Sequence, residues 1–554
     1  MNIINQITAE VESVDGVQLL NVDPGKATNR TVVTMVGEPE LVVEAAFRAV
    51  KKAAELIDMT THKGEHPRMG ATDVLPLVPV SGMTIEEAAQ MARVLAKRIA
   101  DELEIPTYCY EAAATCADRQ NLANVRSGEY EGLPNKLVDP TWKPDFGHAC
   151  FTKQAAKSGA TIVGARDFLV AVNFNLNTTS TRRANAVAFD VREKGRTVDT
   201  GEWKMGADGL WVRVDGGKKS GEKINVPGTL KGCKAIGWYI EEYGMAQVSM
   251  NITNISQTSL HEAFEAVCLS AAQRGMRVTG TEIVGLVPLN VLTDAGRYFL
   301  LKQERSTGVS DDELIKIAVH SMGLSDLGEF KAEEKVIEYL IEDKSAVKLI
   351  DMSCKGFAEE TASESPAPGG GSISAYMGAL GAALGAMVAN LSSHKAGWDS
   401  KWREFSDYAD KGVALMNKLL VLVDEDTASF NKIMDAFSLP KSNDIEKANR
   451  TAAIQSATLY ATMIPLETMR VSAGIFPLVR AMAEFGNQNS VSDAGVGALA
   501  ARSAILGAYL NVKINAAGLK DRAAVEEILK EASALAENAN QQEAEIIEIV
   551  NTKI

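Results

Sequence analysis

The run from Ile373 to Leu391, ISAYMGALGAALGAMVANL, carries no charge over 19 residues, nine of which are glycine or alanine. It is long enough to be mistaken for a membrane span. Glycine and alanine gain little from lipid compared with leucine or phenylalanine, however. The run is therefore expected to be a close-packed helix in a soluble core, with no membrane involved. Small residues recur four apart at Gly381, Gly385 and Ala389, which lets backbones approach closely. The helices around this run are expected to pair with another copy of the chain, giving a homo-oligomer through an all-α domain.

Upstream the pattern differs. VQLLNVD (17–23), RTVVTMVG (30–37), VLPLVPV (74–80), IPTYCYE (105–111) and DFLVAVNFNL (167–176) read as strands. Amphipathic helices separate them at 41–57 and at 84–103, the latter opened by a Thr84…Glu87 capping box. Paired strands followed by helices predict an α+β sheet covered on one face. The pattern then repeats: a helix at 185–195, a glycine-rich stretch at 196–228 that is either a mobile insertion or a small hairpin around LWVRVDGGKK, strands at 234–243 and 245–253, a helix capped by Ser259…Glu262, and a strand at 282–289. A charged helix, AEEKVIEYLIED, follows. The fold class is thus an α+β N-terminal half of two ferredoxin-like α/β subdomains, 1–176 and 177–325. A linker (326–345) joins it to an all-α helical domain, 346–554.

The net charge of −15 over 554 residues argues against nucleic acid, whose phosphates need a basic surface. Six cysteines (109, 116, 150, 233, 268, 354) show neither CxxC nor a disulfide framework, and the N-terminus has no signal-like charge and apolar run. Both favour a cytoplasmic setting.

Three stretches can carry chemistry. Thr61–Asp73, THKGEHPRMGATD, holds two of six histidines, two glycines and a proline, so it is a loop. His66 is its candidate general acid or base, against a surface histidine without a role. Zinc on His62 and His66 requires a helix that Pro67 disfavours, so no metal is expected. In VDED (423–426), Asp426 would share a helical face with Leu419, Leu422, Phe430 and Ile433. Desolvation there would keep its proton on, unless the acids all lie in solvent. Finally, Pro366–Ser372, PAPGGGS, lets a ligand approach the backbone at a helix start through Gly369, Gly370, Gly371 and Ser372, or is a flexible linker.

Together these residues resemble the formimidoyltransferase-cyclodeaminase family. The resemblance rests on VDPGKATNRTV (22–32), HKGEHPRMGATDV (62–74), RSGEYEGL (126–133), PDFG (144–147), GATIVGARDFL (159–169), KAIGWY (234–239) and GLVPL (285–289). Downstream it rests on PAPGGGS, VDED, IPLE (464–467), GN (486–487), SD (492–493) and AYLNVKIN. It implies transfer of a formimidoyl group from N-formimidoyl-L-glutamate to N5 of tetrahydrofolate. Cyclodeamination to 5,10-methenyltetrahydrofolate and ammonia would follow, within histidine degradation. His66 matches the family's transferase histidine and Asp426 its cyclodeaminase proton donor. Folate contacts are implied at Gly147, His148, Ala149, Cys150, Phe151, Gly159, Gly228, Thr229 and Leu230. Asp23, Asn29, Arg68 and Asp73 are placed in the same cleft by adjacency and polarity. Asn487 and Asp493 join Gly369–Ser372 in the implied cyclodeaminase pocket. The folate would be polyglutamated, with Lys153, Lys157, Lys218, Lys219 and Lys223 available to its tail.

The sequence departs from the family pattern at its start, which lacks the VECVPNFSEG-type strand and loop, so a strand and some transferase contacts are expected to be missing. The stretches 147–159 and 196–228 are longer than usual. The alternatives are a monofunctional cyclodeaminase or methenyltetrahydrofolate cyclohydrolase-like enzyme, and a folate-binding scaffold without turnover.

Overall fold

The structure, a computed structural model, describes residues 2–25, 29–64, 67–199, 203–205, 211–213, 223–342 and 348–554. It resolves into two units, 1–295 with 318–342 and 296–317 with 343–554.

The first unit begins with α1 (Asn2–Glu12), a helix that the sequence reading did not include. Its Val11, with Val14 beyond it, packs against Ala45. An antiparallel ladder follows, β1 (Val17–Gly25) with β2 (Arg30–Gly37), then α2 (Pro39–Leu56), β3 (Val74–Leu77), α3 (Ile85–Leu103) and β4 (Thr107–Glu111). The capping box at α3 forms as expected: Glu87 N–H donates to Thr84 Oγ1 at 3.2 Å, and Thr84 N–H donates to the Glu87 carboxylate at 2.8 Å. After α4 (Leu122–Arg126), α5 (Glu129–Val138) and α6 (Lys153–Ser158) comes β5 (Thr161–Ala165), which enters a parallel sheet in the order β3-β5-β4. The expectation of one covered face fails here. Leu95 and Ile99 of α3 pack with Cys109, Val163 and Ala165 on one side. Leu133, Leu137 and Ala155 pack with Tyr108, Tyr110 and Ile162 on the other. Parallel strands are buried on both faces, so β5 shows no polar alternation in its sequence.

The chain continues through β6 (Val170–Leu176) and α7 (Thr181–Val191). Ser180 accepts the Arg183 N–H at 3.3 Å and starts this helix four residues before the expected 185. β7 (Arg196–Asp199) pairs with β10 (Lys223–Val226), and β8 (Trp203–Met205) pairs with β9 (Trp211–Arg213). Of the two readings of this stretch the pairing of β8 with β9 fits the hairpin, placed on the earlier side of Trp211, and residues 214–222 lie outside the described residues. β11 (Cys233–Ile240), β12 (Met245–Ile252), α8 (Leu260–Ala272) and β13 (Val278–Val284) complete an antiparallel sheet in the order β11-β12-β6-β13. The strand expected at 282–289 ends at Val284, because Val287 makes only a single bridge to Val336 and α9 (Leu289–Lys302) begins after Pro288. Beyond α10 (Asp311–Met322), the expected charged helix is broken at that bridge into α11 (Ala332–Lys335) and α12 (Ile337–Ile341).

One face of the four-stranded sheet is apolar, with Phe174 against Phe264 of α8 at 6.3 Å between ring centroids. The opposite face carries a hydrogen-bonded row. Trp238 Nε1 donates to Gln247 Oε1 (3.1 Å), Gln247 Nε2 to Asn175 Oδ1 (2.7 Å) and Asn175 Nδ2 to Asp326 Oδ2 (2.9 Å).

The second unit is helical: α13 (Cys354–Thr361), α14 (Gly370–Ser393), α15 (Trp402–Ser438), α16 (Asp444–Ala473), α17 (Ile475–Phe485), α18 (Val491–Ala516) and α19 (Arg522–Asn551). α14 packs against α15, α16, α17 and α18. Among the described residues, α14 and Gln488–Ala516 are the segments long and apolar enough to cross a membrane. The small-residue stripe of α14 is used inside this chain. A Cβ on Gly381 would stand 3.0 Å from the Gly497 carbonyl oxygen, and one on Gly385 would stand 2.6 Å from Leu478 Cδ2. A helix that serves as the centre of a bundle needs these gaps in its surface.

Candidate active site

In the helical unit, two sequence candidates converge. α14 starts at Gly370, where proline and glycine end the preceding loop, and its first turn leaves backbone N–H groups without helical partners. One of them is taken by Asp426 from the middle of α15. Asp426 Oδ2 accepts the Ser372 N–H at 2.9 Å and the Ser372 hydroxyl at 3.1 Å. The approach depends on a missing side chain, because a Cβ on Gly371 would lie 2.1 Å from Asp426 Oδ1. The expected visitor to the glycine loop is thus a carboxyl group of the protein itself.

Burial pushes the Asp426 carboxyl above the usual carboxylate range, against the opposing pull of the Ser372 hydroxyl and N–H. The predicted apolar face holds on one side only: Leu419 and Leu422 are buried, whereas Phe430 is exposed. Neighbouring acids are differently employed. Asp424 accepts the Leu349 N–H at 2.6 Å, and burial raises its carboxyl too. Glu425 takes the Tyr460 hydroxyl, with Lys432 lying 3.9 Å from the centre of the Tyr460 ring.

Asn487 and Asp493 are not brought to this place within one chain. The Asn487 N–H donates to Ser392 Oγ at 2.8 Å, and Asp493 lies in the first turn of α18. Ser392 lies in the last turn of α14, about 30 Å along the helix from Gly371. Asn511 of α18 is a residue the site reading missed. Its amide lies over Gly370, 3.3 Å from where a Cβ would be. It lay inside the quoted AYLNVKIN run, but nothing local distinguished it.

In the first unit, Glu65 and His66 lie outside the described residues; the flanks of the loop are well anchored. Asn29, in left-handed backbone with φ 47°, donates from Nδ2 to the Lys63 carbonyl oxygen at 2.7 Å, and its own carbonyl oxygen lies 3.0 Å from His62 Nε2. Arg68 donates to the His62 carbonyl oxygen at 3.1 Å and to both Glu131 oxygens at 2.7 and 2.8 Å. Asp73 accepts the Met69 N–H at 2.9 Å and Arg126 Nη2 at 2.7 Å. Arg126 and Glu131 stand 53 and 63 residues away from their partners, a separation that gives no cue in the sequence. Asp23 sits on β1 opposite Val32.

The implied folate stretch meets this loop at the N-terminal ends of the parallel strands. Gly70 bridges Gly159, and the Ala160 N–H donates to the Met69 carbonyl oxygen at 3.0 Å. Gly159 has φ +70°, and a Cβ there would lie 2.1 Å from that same oxygen. Gly147, with φ +95°, packs against Pro106. His148, Ala149, Cys150 and Phe151 are exposed, with the Phe151 ring 6.3 Å from that of Tyr130. Lys153 is also exposed, while Lys157 Nζ donates to the Glu55 carbonyl oxygen at 2.9 Å. Lys218 and Lys219 lie outside the described residues. Gly228, Thr229 and Leu230 form a separate group. The N–H groups of Thr229 and Leu230 bond the Asp190 and Val191 carbonyls at 2.9 Å. Thr229 and Leu230 line a concavity of about 430 Å³ with Lys231, Gln257, Thr258 and Glu262.

Fold and sites define a two-part protein: an α+β half with a clamped polar loop, and a helical unit with a partly buried acid held at a glycine-opened helix start. Family models match along its length. The formiminotransferase domain matches in its N-terminal subdomain over 1–166 and in its second part over 171–342, and formiminotransferase-cyclodeaminase matches over 353–534. A formimidoyltransferase-cyclodeaminase of Dictyostelium discoideum is 39% identical over 554 residues, covering 100% of this chain and 96% of that one. A glutamate formimidoyltransferase of Streptococcus pyogenes is 40% identical, covering 54% of this chain and 88% of that one. A methenyltetrahydrofolate cyclohydrolase of Methylorubrum extorquens is 40% identical, covering 36% and 95%. The chain belongs to the formimidoyltransferase-cyclodeaminase family.

Proposed function

We propose that His66 and Asp426 carry the two activities of this chain. The first half moves the formimidoyl group from formimidoylglutamate to N5 of tetrahydrofolate. The helical unit then closes the 5-formimidoyl product to 5,10-methenyltetrahydrofolate and releases ammonia. In the first half, His66 takes the N5 proton and returns one to the departing glutamate nitrogen, a two-way task suited to imidazole. In the second, N10 attacks the formimidoyl carbon and its proton passes to the exocyclic nitrogen. Asp426 then protonates that amine, the C–N bond breaks, and ammonia leaves with the electron pair.

The observation that carries this reading is the Asp426 carboxyl itself, half-buried, with its proton affinity raised, on the Gly371–Ser372 turn. A donor must hold a proton at working pH, and a fully solvated aspartate does not. The folate substrate carries a polyglutamate tail, for which the exposed Lys153 is one available cation. The protein works in the cytoplasm as a homo-oligomer. Leu380, Met387 and Leu391 on α14, with Val496 and Leu499 on the adjoining α18, remain exposed in the single chain and support that assembly.

The test is to incubate the full chain with formimidoylglutamate and tetrahydrofolate, following methenyl absorbance and ammonia separately. His66→Ala should stop transfer and spare deamination of pre-made 5-formimidoyltetrahydrofolate; Asp426→Asn should do the reverse. Wild-type rates retained in both variants would refute the reading.

A further inference from the structure

A second polar side chain, Asn511, meets the start of α14 at Gly370, the residue before the glycine that Asp426 approaches. α18 approaches the start of α14 closely. Ser374 Oγ lies 2.4 Å from where a Cβ of Gly507 would be, and it donates to the Gly370 carbonyl oxygen at 2.6 Å. One turn along α18, Asn511 Nδ2 donates to the Gly507 carbonyl oxygen at 3.0 Å. That bond fixes which way the amide faces, since a flipped amide would set two carbonyl oxygens against each other. Oδ1 is then the free end. Among the described residues no donor meets it, and it is not a sealed buried atom.

Both amide heavy atoms lie over Gly370, with Nδ2 3.3 Å and Oδ1 3.7 Å from the position of an added Cβ. The next residue, Gly371, meets Asp426 more closely, its added Cβ 2.1 Å from Oδ1. Two successive glycines in one helical turn therefore each open the backbone to a polar group from a different helix. One group is a carboxyl able to donate a proton, and the other is a neutral acceptor.

We propose that Asn511 is a substrate-contacting residue of the cyclodeaminase site, its Oδ1 accepting an N–H of the nitrogen that departs as ammonia. This rests on the Asp426 reading above. The departing nitrogen gains N–H bonds as it is protonated, so an acceptor aimed at it binds the late, cationic form more strongly than the imine. A carboxamide suits the position because it does not compete for the proton that Asp426 must deliver. A second carboxylate would.

The experiment uses the full chain and pre-made 5-formimidoyltetrahydrofolate, with ammonia release read across pH. Asn511→Ala should lower kcat by roughly tenfold to a hundredfold, the usual scale for a hydrogen bond to a charged group, with formimidoyl transfer unchanged. Asn511→Asp should move the basic limb of the kcat profile to higher pH, because a like charge beside Asp426 holds the proton on it. That shift reports how near position 511 stands to Asp426, whereas a loss of kcat with KM little changed in Asn511→Ala reports the contact itself, which a merely structural asparagine would not make. Melting curves of both variants matching wild type establish that they fold; if Asn511→Ala does not, Asn511→Asp carries the test alone. Ammonia release by Asn511→Ala within twofold of wild type, or an unmoved limb in Asn511→Asp, overturns the proposal. Absence of ammonia release by the wild-type chain would instead overturn the Asp426 reading.

Discussion

Gly371→Ala separates activity from stability. The helical backbone at this position suits alanine, since Gly371 is not among the positive-φ glycines. By propensity alone the substitution favours α14 by up to about 1 kcal/mol. The added methyl, however, would stand 2.1 Å from Asp426 Oδ1 and 2.5 Å from its Cγ. An ordinary contact needs about 3.4 Å or more, so the carboxyl must retreat by roughly 1 Å. It would then lose the bonds from Ser372 at 2.9 and 3.1 Å. A misplacement of that size costs on the order of a hundredfold in rate. The overpacking penalty of about 1–3 kcal/mol is partly offset by the helix term, so the melting temperature should change little. The assay is ammonia release from 5-formimidoyltetrahydrofolate beside calorimetry of the same sample. Gly370→Ala, whose methyl would meet Asn511 at 3.3 Å, is the milder comparison and should lose less. Ammonia release by Gly371→Ala within threefold of wild type would refute the argument that this glycine admits the acid.

Other outcomes follow from the same geometry. Ser372→Ala removes a hydrogen bond that favours the charged form of Asp426, so the carboxyl keeps its proton to higher pH and the basic limb of deamination shifts upward in a pH–rate profile. Asp426→Asn should raise thermal stability at pH 8, and the gain should shrink towards pH 4. The raised carboxyl binds its proton more tightly in the folded state, so its contribution to stability is present below the ordinary aspartate value of 3.8 and is lost as pH rises through the folded value; calorimetry across pH would expose the opposite trend. Gly159→Ala combines a φ of +70° with a Cβ 2.1 Å from the Met69 carbonyl oxygen and should cost about 3 kcal/mol, read as a lower urea midpoint of the full chain.

Much of the molecule was legible because side-chain chemistry marks it locally. Thr84–Glu87 and Ser259–Glu262 announce helix starts through hydrogen bonds made within four residues. The helical half follows from α14, since little but a bundle can cover so bare a helix. What escaped depends on distance in the chain or on burial. β5 is wholly buried, so its TIVGA pattern lacks the alternation that betrays a half-exposed strand. The break at Val336 comes from a bridge to Val287, which no local propensity encodes. At the acid site, sequence offered a glycine loop and an acidic turn as separate candidates 54 residues apart. Their union, and the arrival of Asn511 beside them, are facts of helix packing.

The side-chain row on the second sheet has a direction. Trp238, Gln247 and Asn175 each donate towards the next, and the last donates to Asp326. A carboxamide offers its donor and acceptor at opposite ends, so no amide in the row can turn without forcing its neighbours to turn as well. The indole at one end can only donate and the carboxylate at the other only accepts, which fixes the sense of the whole series. The row is therefore a latch with one closed position spanning β11, β12 and β6. Gln247→Glu, which swaps a donor for an acceptor at its centre, would set carboxylate against the Asn175 oxygen and open the row at its middle, leaving the backbone ladders of the three strands to hold without it.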